Sequence, residues 1–143
     1  MELKYQKNID EFENCESSNC KASQRNAYRW VFEDINDERN FLPRYLLKPD
    51  LKNKNPRCTG YSLSMFDEAE QAKLRLRYIC KDKKLLYKVL GTHLGSGELT
   101  LEQGISNESS KNKDNLGHFE FFECVAVDLS KTFTIIERIE END

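Results

Sequence analysis

Hydrophobic positions along the chain change period several times, and each change marks an expected element. From Tyr28 to Phe32 they alternate, with Tyr28, Trp30 and Phe32 on one side and Arg29 and Val31 on the other, the period of two that a strand requires. Trp30 is the expected core anchor. GYSLSMF, from Gly60 to Phe66, alternates again. At Asp67 the period switches: Ala69, Ala72, Leu76 and Ile79 recur at spacings of three and four, predicting a helix over about 68–80. Asp67 with Glu70 three residues on reads as an N-cap and its capping-box partner.

The apolar run from Leu85 to Leu90 predicts a strand, and Gly91, Gly95 and Gly97 a turn after it. Residues 104–117 read as a polar loop. HFEFFECVAVDL alternates with Phe119, Phe121, Val125 and Val127 on one side and His118, Glu120, Phe122, Cys124 and Ala126 on the other. Glu123 falls on the apolar side, which marks a bulge or a special role. FTIIERI gives a last strand. FLPRYLLKP, interrupted by Pro43 and Pro49, reads as irregular or an edge, and 50–57 as a basic loop. One principal helix among strands predicts an α+β fold with a small, mostly antiparallel sheet.

Residues 1–26 have few aliphatics and an acidic cluster, Asp10, Glu11, Glu13 and Glu16. They are expected as a polar arm that is mobile or orders on a partner. The compact domain is expected over 27–139, with 140–143 an acidic tail. A length of 143 residues suits one domain. Although 33% of residues are charged, eight Phe, six Tyr and one Trp supply the bulk a core needs.

A formal net charge of -3 argues against a general electrostatic grip on nucleic acid. Any such contact would be local, through the basic loop of Arg44, Lys48, Lys52, Lys54 and Arg57, with Tyr45 available for stacking. Five scattered cysteines and no secretory leader point to reduced thiols and a cytoplasmic protein. The bias toward Asn, Lys and Glu points to a bacterial source. No window of about 18 apolar residues is available to span a bilayer. Cys15 and Cys20, with His93 and His118, do not form a metal-binding pattern, so no metal is expected. Cys124 and His118 are six positions apart on one strand, too far for a dyad.

Arg29 on an early strand, Ser62-Leu63-Ser64 leading into a helix, and Glu120 or Glu123 on a later strand together resemble an ADP-ribosyltransferase-like domain over roughly 27–139. The resemblance implies NAD as the co-substrate. It gives Arg29 the pyrophosphate or ribose, Ser62 and Ser64 the nicotinamide side, and one of the two glutamates the stabilisation of the oxocarbenium ion. Three expectations stand side by side. The first is a small intracellular interaction module that binds another macromolecule, a protein partner in a bacterial multi-component system, with no cofactor. The second is an NAD-using transferase, active or degenerate. The third is nucleic-acid contact through 44–57.

Overall fold

A computed structural model describes residues 1–141. Six antiparallel strands form one sheet in the order β4-β5-β2-β1-β3-β6: β1 Arg25–Val31, β2 Leu63–Phe66, β3 His93–Leu99, β4 Gly104–Ser106, β5 His118–Glu123 and β6 Thr134–Arg138. Helix α1, Ala69–Cys80, follows β2, and the remaining helical segments are single turns. The α+β expectation holds. Among the described residues no helix is long and apolar enough to cross a membrane.

The sheet is two three-stranded halves. β1 pairs with β3 along its whole length, from Arg25 opposite Leu99 to Val31 opposite His93. β2 pairs with β5 from Leu63 opposite Phe121 to Phe66 opposite His118. Between the halves, β1 and β2 meet at one register pair, Tyr28 opposite Phe66. Beyond that pair the two strands part.

Alternation along the strands sorts side chains onto two faces. On one face Ala27, Leu63, Met65, Leu99, Phe119 and Phe121 close over Leu129 and Phe133. On the other, Phe66 and Leu94 receive α1 through Ala72, Leu76 and Cys80, which recur every four residues. Trp30 joins this packing: its ring centroid lies 5.6 Å from that of Phe66, and its indole N–H donates to the Ala72 carbonyl at 2.8 Å. α1 begins after Glu68, which has extended backbone and makes no side-chain cap bond. The capping box expected of Asp67 and Glu70 does not form. Glu70 pairs with Lys73 at 2.6 Å instead, and the Asp67 amide donates to Gly117 at 2.9 Å.

Two expected elements are reassigned. Leu85–Leu90 is not a strand: it coils as the turns Lys84–Leu86 and Tyr87–Leu90, burying Tyr87 and leaving Leu85 and Val89 exposed. A short apolar run fits either period, and here packing on α1 decides. The glycine-rich stretch expected as a turn is β3. A Cβ on Gly97 would lie 3.0 Å from the Phe133 ring and one on Gly95 3.3 Å from Val31, so these glycines let the strand pass beneath its neighbours.

The N-terminal segment is not a free arm. Leu3 and Ile9 are buried with Tyr45, Cys58, Tyr61 and Phe122, and Tyr5 and Phe12 pack around them. Backbone bridges join Leu3 to Cys124 and Lys21 to Ser106. Its few apolar residues suffice because a disulfide, Cys15–Cys58, ties it across 43 residues to the turn before β2. The thiols expected to be reduced are in this case joined. Of the expected acidic tail, Glu140 accepts from Arg138 at 2.9 Å, and residues 142 and 143 lie outside the described residues.

Candidate functional site

On the α1 face of the sheet, the cluster beneath the helix and the N-terminal cluster leave a polar strip between them. Phe66 belongs to the first and Phe122 to the second. Between them the alternation of β5 turns His118 and Glu120 outward, and the β2 register sets Ser64 directly opposite Glu120. Ser62 arrives from the turn Cys58–Tyr61, where its hydroxyl reaches the Thr59 carbonyl at 2.8 Å.

These four side chains form one connected set. The Ser62 hydroxyl donates to Glu120 Oε2, and Ser64 Oγ is hydrogen-bonded to His118 Nε2. His118 Nε2 stands 3.7 Å from Glu120 Oε1. Glu120 is fixed from behind, its amide donating to Asn107 Oδ1 at 2.8 Å. Both His118 and Glu120 keep 20% of their side-chain surface open, so a ligand can reach them. Burial holds the His118 pKa below its ordinary value; Arg44, Arg75 and Arg29 push the same way and Glu120 opposes them. At neutral pH the ring is therefore an uncharged acceptor or donor beside a carboxylate, in a field set by three guanidinium groups.

Arg29 occupies the place where β1 and β2 part. Its Nε donates to the Asn40 carbonyl at 2.8 Å and its Nη1 to the Ser64 carbonyl at 2.6 Å. The guanidinium thus supplies to β2 a donor that the missing β1 ladder does not. Asn40, itself buried, is held by the Phe32 amide at 2.7 Å and by its own bond to the Asp34 carbonyl at 2.8 Å. Burial lowers the Arg29 pKa to about 10, against the fields of Glu123 and Glu120.

The two glutamates separate. Glu123 lies on the opposite side of the sheet from Glu120 by alternation and is only 4% exposed. Lys4 pairs with it at 3.0 Å, while its Oε1 has no hydrogen-bond partner. Burial raises its pKa, with Lys4 and Arg29 opposing. Ser62, Ser64 and Glu120 are brought together on one face; Arg29 shares the face of Ala27 by alternation along β1 and meets the set through the Ser64 backbone carbonyl, with Glu123 on that other face.

In the basic stretch the expected stacking residue is withdrawn, while most of the cations stay on the surface. Tyr45 is 8% exposed, with its hydroxyl donating to Asn55 O at 3.1 Å and accepting from Arg57 N at 2.9 Å, so its ring is not available for stacking. Lys52 is drawn back to Glu11 at 3.3 Å and lies 5.4 Å from the Tyr61 ring centroid. Arg44, Lys48, Lys54 and Arg57 are exposed: Arg44 and Lys54 on the helical turns Arg44–Leu47 and Leu51–Lys54, Lys48 just after the first and Arg57 just before the turn Cys58–Tyr61. Cys15, Glu16 and Cys58 converge, but the two sulfurs are bonded to each other. Burial, with Glu120 and Glu16 adding, raises the Cys20 thiol to about 11, which keeps it protonated beside the site.

Sequence reasoning missed His118 as a member of this set. Its signal was present, since His118 shares a face with Glu120 in the period-two pattern, but its contact with Ser64 needs the β2–β5 register. No protein-family model, no curated protein and no solved structure matches the chain.

Proposed function

We propose that this domain binds NAD where β1 and β2 part and transfers its ADP-ribose, in the manner of the ADP-ribosyltransferase-like domains it resembles. The observation that carries the reading is the convergence of Ser62, Ser64, His118 and Glu120 in one hydrogen-bonded set, with Arg29 bonded to the Ser64 backbone.

Each group in the set matches a demand of the reaction. Breaking the bond between nicotinamide and ribose C1′ leaves positive charge on the sugar, and Glu120, held in place by Ser62 and the Asn107 side chain, supplies the compensating negative charge. Arg29, Arg44 and Arg75 give the site the positive field that a diphosphate seeks. Ser64, which is exposed, offers a hydroxyl to a carboxamide or ribose hydroxyl, while the buried Ser62 acts through Glu120. His118, uncharged at neutral pH, is positioned to take the proton of the incoming acceptor. Glu120, not Glu123, takes the carboxylate role in this reading, because only Glu120 shares the face of the serines.

The supports for a general interaction module are weaker than the sequence suggested, because the N-terminal segment is packed and Tyr45 is buried. The direct test is calorimetric titration of NAD into the purified protein, with the Ser62→Ala/Ser64→Ala variant as control. Binding that the variant weakens supports the reading, and an absence of binding to the wild type removes it.

A further inference from the structure

The outward face of α1 and the turn at 113–116 enclose a groove of about 800 Å3. Its apolar surface is open to solvent: Tyr78 is 72% exposed, Leu74 57% and Leu116 39%. Leu74 and Tyr78 are one helical turn apart on the side of α1 that Ala72, Leu76 and Cys80 leave free. Surrounding them are Arg75, whose guanidinium sits 5.6 Å from the Tyr78 ring centroid, and Lys81 and Lys113.

Charge identifies what fits. The groove lining has two carboxylates, Asp114 and Glu141. Glu141 is already engaged by Arg77 at 3.4 Å and Lys84 at 3.7 Å. Among the described residues Arg75, Lys81 and Lys113 have no carboxylate within ion-pair distance, so the groove is locally positive on a chain whose formal net charge is -3. Apolar anchors ringed by unmatched cations call for a ligand with the reverse pattern.

We propose that this groove docks an acidic segment of a partner protein, with apolar side chains seated against Leu74, Tyr78 and Leu116 and carboxylates meeting Arg75, Lys81 and Lys113. Two leucines beside the tyrosine favour side-chain anchors over stacked bases, which take up aromatic platforms. Arg75 faces both this groove and the field of the NAD site, so the test is built on Tyr78 and Lys81, which belong to the groove alone. Tyr78 and Lys81 do not bond to Ser62, Ser64, His118 or Glu120.

A displayed library of random peptides about twelve residues long, enough to span a groove of this size, tests it. Selection is run on the wild-type protein, with the exposed-site variant Tyr78→Ala/Lys81→Glu as comparison and circular dichroism confirming that α1 is intact. Survivors should combine Asp or Glu with Leu or Phe. When synthesised, they should bind the variant about tenfold more weakly and lose affinity as salt rises. Absence of enrichment, survivors that are neutral or basic, or equal affinity for the variant overturns the proposal. So does displacement of the peptides by single-stranded DNA at lower concentration, which would make the groove a nucleic-acid surface.

Discussion

Ser64 and Glu120 stand directly opposite one another across the β2–β5 ladder, so their side chains leave the same face of the sheet. With His118 beside Ser64 and Ser62 bonded to Glu120, this pair fixes the polar strip between the two apolar clusters. Glu120→Gln keeps the shape and the Ser62 contact while removing the charge. It is expected to slow nicotinamide release from NAD by about a hundredfold or more, the scale of losing a preorganised electrostatic group, and to leave NAD affinity within a fewfold. Release at an undiminished rate would take Glu120 out of the proposed chemistry.

Arg29 has a structural role whatever the site does. Removing it strands the Asn40 and Ser64 carbonyls it serves, at 2.8 and 2.6 Å. Arg29→Ala should cost about 3 kcal/mol in urea unfolding, because charge-assisted bonds are lost and partly buried acceptors are left unmade. A cost below about 1 kcal/mol would mean that water replaces the guanidinium and that β1 and β2 do not depend on it.

The Cys15–Cys58 bond closes a separation of 43 residues, for which chain entropy gives a stabilisation of about 4 kcal/mol at most. Thermal unfolding in the presence of a reductant should fall by roughly 10 °C for a domain of this size. Because the Cys58–Tyr61 turn delivers Ser62, reduction should also weaken NAD binding. An unchanged midpoint would show that the packing of Leu3 and Ile9 holds the segment without the bond.

Glu123 gives a pH signature. Burial lifts its folded pKa above the ordinary 4.5, so in the interval between the two values the folded state holds a proton that the unfolded state lacks. The stability due to this group is therefore fully present below 4.5 and is lost as pH rises through the folded pKa. Glu123→Gln removes the buried charge, so the variant should be more stable than wild type at pH about 7, with the gap narrowing as the pH falls toward the ordinary value. Melting curves across that range check it. A gap that widens in acid contradicts the sign.

Period and order carried much of this in the sequence. The helix at Ala69–Cys80 and the strands around Trp30, Met65, Phe121 and Ile135 follow from alternation and three-to-four spacing alone. β3 did not, because its glycines answer to Val31 and Phe133, which are distant in sequence. The N-terminal segment misled for a related reason: Leu3 and Ile9 are too sparse to predict burial, and the disulfide partner lies far along the chain. Arg29, Ser62, Ser64 and Glu120 were legible as an ordered set of strand residues. Separating Glu120 from Glu123 required the register, and finding His118 against Ser64 required the fold.

The central claim is that the polar strip beside Arg29 is an NAD site, and calorimetric titration of NAD into the oxidised protein tests it most directly. The account predicts binding in the range of about 1 μM to 1 mM for the wild type, weakened about tenfold or more in Ser62→Ala/Ser64→Ala. No heat at millimolar NAD, or binding that the double variant leaves unchanged, would contradict it.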